Sequence, residues 1–307
     1  EPAKLRFPKG ADEAAILNEV EAVWMGRDLI NTPASDMGPD ELEAAFLALA
    51  SRHGAAASAI RGDDLLAERF PMVHAVGRAS DRAPRLLDMT WGSQGPTLTL
   101  IGKGVCFDTG GLDIKPATSM GLMKKDMGGA ATVMGLADMI MSLGLKLRLR
   151  VIVPAVENAI SGGAFRPQDI LTSRKGLTVE INNTDAEGRL ILADALALAD
   201  EGKPDLIVSM ATLTGAARVA VGPDLAPFFT DVLNGSQQGN GNGLRLGDDN
   251  TVQHLVINGF RNDGVLMHYD WDRTPSNNQV LNNYIGTDPT GTLAVPNFNG
   301  VELGGFG

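Results

Sequence analysis

Two kinds of apolar pattern alternate along the first two thirds of the chain. Residues 12–31 have a helical period, with Ala15, Ile16, Val20, Val23, Trp24 and Leu29 as its apolar members, and stop at Asn31-Thr32-Pro33. Pro39 opens a second helix through Leu49, ending near His53-Gly54. Residues 62–69 predict a short helix. Short apolar runs at 72–77, 86–91 and 97–101 predict strands, the last two joined by a hairpin loop over Gly92–Pro96. His74 lies inside the first of these runs, so a packed core histidine is expected there. A helix runs from Met127 to Ser142, and a strand over 147–153 ends at Pro154. A loop over Glu157–Gln168 leads to a short strand at 177–181, then a buried helix over 190–200. Lys203-Pro204 breaks the chain before a strand at 206–210, and Ala211–Gly215 turns into another short helix. Strands that alternate with helices and are apolar throughout predict an α/β fold. Its mainly parallel or mixed central sheet would carry helices on both faces.

Near residue 231 the composition changes. From Asn234 onward Asn, Gly and Gln dominate, and long helical periods are absent. Two segments are therefore expected: residues 1–230 as the principal domain and 231–307 as a flexible loop followed by short strands or irregular structure.

Composition narrows the function. The chain has 307 residues, 44% of them apolar, enough to bury a substantial core. A net charge of −11 argues against nucleic-acid or anionic-membrane partners, which need a basic face. No stretch approaches the roughly 20 apolar residues of a membrane span, and the first residues lack an apolar signal core. The single cysteine, Cys106, excludes an intrachain disulfide and a cysteine-rich zinc site, and fits a reducing, cytoplasmic compartment. The four histidines are scattered, so a bound metal would be held mainly by oxygen ligands.

Candidate chemistry gathers in two acidic stretches. Asn183-Thr184-Asp185-Ala186-Glu187-Gly188-Arg189 follows an apolar run and precedes a helix. The second stretch is glycine-rich, spans residues 102–121, and is read as a loop whose backbone approaches something closely. It carries Lys103, Asp108 and Lys115, with Asp126 just beyond. Asp108, Asp126, Asp185 and Glu187 would converge at the carboxyl edge of a parallel sheet. Four carboxylates together repel unless cations neutralise them, and two ions roughly 3.5–4 Å apart could share them. The alternative is four acids in separate surface turns. A lysine beside two cations is disfavoured as an ammonium, so Lys103 could offer a neutral amine to a metal. A lysine that keeps its charge could polarise a carbonyl oxygen.

These residues resemble the leucyl aminopeptidase family, the two-metal cytosol aminopeptidases. Asn-Thr-Asp-Ala-Glu-Gly-Arg-Leu at 183–190 is the family's signature. Lys-Gly-x-x-Phe-Asp-x-Gly-Gly from Lys103, then Lys115, then Lys-x-Asp-Met-Gly-Gly-Ala-Ala from Lys124, is similar to its first ligand segment in order and spacing. Ala211–Ala216 matches a further family segment, and the resemblance covers residues 12–230. It implies a zinc-exopeptidase-like αβα sandwich. Lys103, Asp108, Asp126, Asp185 and Glu187 would be metal ligands, with Asp108 and Glu187 bridging two ions. Lys115 would polarise the scissile carbonyl, and Arg189 would hold a bicarbonate serving as general base. Met123, Thr212 and Gly215 would line the side-chain pocket, Leu213 would give backbone contacts, and Asn183 would lie near the substrate.

The resemblance further implies removal of N-terminal residues, preferentially apolar ones such as leucine, from peptides with a free N-terminus. The ions would be zinc, manganese or magnesium, the lysine nitrogen favouring zinc or manganese. The family forms a homohexamer and usually begins with a macro-type domain, after which this chain is expected to start. Its last 75 or so residues depart from the family pattern. Two rivals are two-metal phosphoryl-ester hydrolysis, against which the signature speaks, and a non-catalytic metal-binding remnant acting as a scaffold.

Overall fold

The computed structural model describes residues 6–214 together with the backbone of short strands between 232 and 303. The chain divides into two units, Glu1–Thr214 and Gly215–Gly307.

The first unit opens with helices α1 (Glu13–Asn31) and α2 (Pro39–Arg52) and strand β1 (Ala56–Arg61). Helices α3 (Asp64–Ala67) and α4 (Pro71–Gly77) follow, then strands β2 (Arg85–Trp91), β3 (Thr97–Gly102) and β4 (Gly104–Asp108). Helix α5 (Ala117–Met120), a 3₁₀ turn (Met123–Met127) and helix α6 (Gly128–Ser142) lead into the long strand β5 (Arg148–Asn158). Strands β6 (Ile170–Thr172) and β7 (Thr178–Glu180), a 3₁₀ turn (Thr184–Ala186), helix α7 (Glu187–Glu201) and strand β8 (Leu206–Met210) complete it.

The central sheet has six strands in the order β1-β2-β5-β3-β8, with β4 continuing the pairing on β5 beyond the end of β3. β3, β4 and β8 run parallel to their neighbours, while β1 and β2 are antiparallel. The sheet is therefore mixed. Its strands read as continuously apolar because successive residues serve opposite faces. Leu87, Met89, Leu100, Val151 and Val153 pack with Phe46 of α2 and Met134 of α6 on one side. Leu86, Ile101, Ile152 and Val156 pack with Val73 of α4 and Ile191 of α7 on the other. Each such side chain, fully buried, contributes about 1.5–3 kcal/mol. The expected layering of helices on both faces is present.

Several local expectations are corrected. Residues 72–77 form helix α4 rather than a strand. A short apolar run cannot by periodicity tell a strand from a buried helix, and Pro71 at the first helical turn decides it. His74 is half-buried on this helix, its Nε2 3.0 Å from Asp63 Oδ1. The expected hairpin over 92–96 does not form, because β5 inserts between β2 and β3. Strand β1, with exposed and half-buried small residues, carried no strong apolar signal and was not foreseen. The glycine-rich loop of 102–121 contains strand β4. β5 does not end at Pro154 but runs to Asn158. Its pairing on one side passes from β3 at Ile152 to β4 at Ala155, so the missing N–H of Pro154 falls at the junction. The strand near 177–181 pairs only with β6, in a two-stranded ribbon outside the central sheet. The acidic turn after it thus does not extend a central strand.

In the second unit, strand Asp263–Met267 pairs in parallel with Leu244–Leu246 and with Asn299–Leu303. Strand Val256–Asn258 pairs in parallel with Val232–Asn234 and with Tyr284–Ile285. Asn234, where the expected loop begins, ends a described strand, while the rest of that loop, 235–243, and the helix expected after Gly215 lie outside the described residues.

Candidate metal centre

The acidic stretches meet where parallel strands end. Asp108 is the last residue of β4, and its register partner is Asn158, the last of β5. Lys103 occupies the single position between β3 and β4. Its N–H donates to Met210 O at the end of β8, and its carbonyl accepts from Ala130 N at the start of α6. The helix can come this close because residue 129 is glycine. A Cβ there would lie 2.1 Å from Met210 O and 2.8 Å from Lys103 N. Asp126 is held in the 3₁₀ turn before α6, Asp185 in the 3₁₀ turn before α7, and Glu187 is the first residue of α7.

All four acids and both lysines foreseen in the sequence converge. Lys103 Nζ lies 2.7 Å from Asp126 Oδ2 and 2.9 Å from Glu187 Oε1, and donates to Thr212 O at 2.6 Å. Lys115 Nζ lies 3.0 Å from Asp108 Oδ2 and 2.5 Å from Asp185 Oδ1. One oxygen each of Asp108, Asp185 and Glu187 falls within 4.8 Å of the others, a spacing that could hold a metal ion. Glycine at 188 makes room for the lysine: a Cβ there would lie 2.9 Å from Lys103 Nζ.

The electrostatics are unbalanced. Four carboxylates face two ammonium groups, and Lys103, Asp108, Asp126 and Glu187 are all at most 3% exposed. Burial pushes the Glu187 carboxyl up, Lys103 opposes this, and Asp108 and Asp126 add to the rise, to about 7. Burial likewise raises Asp126 against the pull of Lys103. Burial acts to lower both lysines, but their carboxylate partners outweigh it. Lys103 is raised, and Lys115 is raised to about 12. The expected lowering of Lys103 is therefore not present with carboxylates alone around it; the argument for lowering required cations.

Glu187 Oε2 is buried and has no hydrogen-bond partner among the described residues. Glu187 Oε1, Asp126 Oδ2 and Asp185 Oδ1 meet only lysine ammonium groups, in contacts that do not meet hydrogen-bond geometry. A buried carboxylate without compensation is costly enough that such groups are normally paired or bound to metal. The residues fit divalent cations.

The other expected residues fall around this cluster. Arg189 is exposed on the first turn of α7, with no ion pair among the described residues. Asn183 caps the turn, its side chain accepting from Asp185 N at 2.8 Å. Thr212 Oγ1 donates to Asp126 Oδ1 at 2.7 Å, closer to a ligand than a pocket-lining role requires. Met123 is half-buried and Leu213 is 61% exposed. Gly215 lies outside the described residues. Two residues hydrogen-bonded around the cluster were not foreseen. Asn158 donates to Asp108 Oδ1 at 2.9 Å and to Thr184 O at 3.1 Å, and Thr184 Oγ1 donates to Gly110 O at 2.6 Å. Ending β5 at Pro154 hid Asn158 in a presumed loop. Thr184 sat in plain view inside the signature.

A family model described as the cytosol aminopeptidase family, catalytic domain, matches residues 24–255. The chain belongs to the cytosol aminopeptidase family. It is 45% identical over 212 residues to the probable cytosol aminopeptidase of Corynebacterium glutamicum, covering 68% of this chain and 42% of that protein. It is 42% identical over 228 residues to peptidase B of Pectobacterium carotovorum, covering 72% and 52%. Among solved structures, the cytosol aminopeptidase of Coxiella burnetii superposes with a TM-score of 0.68 at 50% identity, over 72% of this chain and 50% of that one. The bottromycin maturation enzyme BotP in complex with Mn gives 0.67 at 40% identity, over 71% and 48%. The chain thus spans about half the length of the relatives it matches. Every described residue of the acidic cluster lies inside the family match.

Proposed function

We propose that this chain is a metal-dependent aminopeptidase that removes the N-terminal residue of peptides, with a preference for apolar residues such as leucine. The observation that carries this reading is the grouping of Asp108, Asp185 and Glu187 oxygens within 4.8 Å of one another, with the buried Glu187 Oε2 lacking a hydrogen-bond partner among the described residues, in a chain of this family. Lys103, Asp108, Asp126, Asp185 and Glu187 would hold two divalent ions, zinc or manganese before magnesium, since one candidate ligand is a lysine nitrogen. Such ions, when bound, polarise a carbonyl and lower the pKa of a bound water.

The chain's own groups supply the rest. Lys115, whose carboxylate partners keep it protonated, is a fixed positive charge 13% exposed at the cluster's edge, suited to a developing oxyanion. Arg189, exposed and free of ion pairs among the described residues, could hold a bicarbonate as the proton acceptor. Among the described residues no histidine lies in the cluster to take that role. Asp126, held by Thr212, would anchor the substrate's free amino group and so restrict cleavage to the first residue. Met123, Thr212, Leu213 and Gly215 would form the side-chain pocket, with Asn183 near the substrate. Residues 1–230 would be the catalytic domain and 231–307 a separate segment. A cytoplasmic homohexamer would follow the family resemblance.

The test is hydrolysis of leucine p-nitroanilide by the full chain, with manganese or zinc and with a chelator. Turnover abolished by chelator and restored by metal is expected. Metal bound without turnover would favour the scaffold reading instead.

A further inference from the structure

The ligand-bearing segments come from separate places. Asp108 ends a strand of the central sheet, whereas Asp185 and Glu187 follow a two-stranded ribbon that does not belong to that sheet. No strand pairing sets the distance between them. One buried side chain reaches both. Asn158 is 1% exposed at the end of β5, and its Nδ2 donates to Asp108 Oδ1 at 2.9 Å and to Thr184 O at 3.1 Å. The backbone of the same residue holds the strand end, since Asn158 O accepts from Thr109 N at 3.1 Å and Thr109 Oγ1 at 2.7 Å.

The amide can point only one way. Turned over, its carbonyl oxygen would face two acceptors, the Asp108 carboxylate and the Thr184 carbonyl. Asp108 Oδ1 then has two donors, Asn158 Nδ2 and Gly110 N at 2.9 Å. With Oδ1 fixed, Oδ2 is the oxygen left for Lys115 and the cluster.

We propose that Asn158 is a positioning residue of the metal centre: its buried amide locks the Asp108 carboxylate to the Thr184–Glu187 turn, so that Asp108, Asp185 and Glu187 present their oxygens to one cation. The proposal rests on the metal-dependent reading above. Hydrogen bonds that orient a ligating carboxylate govern metal affinity as well as activity. Thr184, whose Oγ1 donates to Gly110 O and whose N–H donates to Asp113 Oδ2, braces the same turn, with no hydrogen bond to a ligand carboxylate.

The experiment is manganese titration of the metal-free full chain against a fluorescent chelator, for the unaltered protein, Asn158→Leu and Asn158→Ser, with thermal melting of each metal-free form. Leucine keeps the branched shape, at a larger volume, and removes both donated bonds; serine keeps one shorter donor. The expected result is manganese affinity about 10–100-fold weaker in Asn158→Leu, with a smaller loss in Asn158→Ser. If Asn158→Leu does not fold, Asn158→Ser decides alone, a loss of several-fold being expected. A folded variant with a lowered melting temperature and manganese affinity within about two-fold of the unaltered protein would overturn the proposal while leaving the metal-dependent reading standing. Absence of manganese and zinc binding in the unaltered protein would overturn both.

Discussion

Two ionic clusters in this unit, one of arginines with acids and one of lysines with acids, differ in how far their charges balance. Around Glu43 of α2, charges balance. Arg61 donates to both carboxylate oxygens, Arg85 Nη1 donates at 2.6 Å, and Arg85 Nη2 lies 2.7 Å from Asp40. The remaining Arg85 donors reach Ala83 O. Hydrogen bonds from Arg61 hold the Glu43 carboxyl below its usual range; burial opposes them, and Arg85 adds to the lowering. At the sheet end, four carboxylates meet two lysines, and Glu187 is pushed the other way. The first centre is complete as it stands and serves the fold. The second has more carboxylates than ammonium groups, which fits the proposed metal site.

The largest effect is expected for Asp185→Ala or Glu187→Gln. Each should reduce kcat by about 10³-fold or more, several kcal/mol of transition-state stabilisation, and lose metal by elemental analysis. Full activity in either would break the distinction. Lys115→Ala should lower kcat by about 10²–10³-fold while the metal content stays unchanged; loss of metal would mean that Lys115 serves to assemble the site. Glu43→Gln should do the reverse. It leaves buried Arg85 short of its partner and should cost about 3 kcal/mol in denaturant unfolding, with manganese affinity and kcat/KM unaltered in the folded protein.

The pH dependence of stability should be the subtlest contrast, because the two acids act with opposite sign. Glu43 is lowered in the fold, so its stabilisation is present above its ordinary value of 4.5 and is lost as pH falls through the lower, folded value. Glu187 is raised from 4.5 to about 7, so the folded, metal-free protein binds the extra proton in that window and loses stability as pH rises through it. Melting of the metal-free protein should therefore decline between pH 4.5 and about 7. The decline should flatten in Glu187→Gln and persist in Glu43→Gln.

Much of this was legible in the sequence, for a physical reason. The buried parts of β3 and β5 are continuous apolar runs, and the partly buried β8 is nearly so, so all three stand out, as do α6 and α7 with their small and apolar residues. The ligand residues were legible because their types are dictated by charge chemistry. What was hidden depends on pairing. Whether residues 72–77 coil or extend turned on one proline, and the neighbours of β2 were decided by a strand more than fifty residues away. Asn158 was hidden because an asparagine gains meaning only from the groups beside it, and its strand was expected to end four residues earlier.

The most direct test of the central claim is calorimetric titration of the metal-free full chain with manganese near pH 7.5. Saturable binding of about two ions per chain, with proton release and with the second equivalent restoring peptidase turnover, is the predicted result. No saturable binding, or binding unchanged in Glu187→Gln, would contradict it.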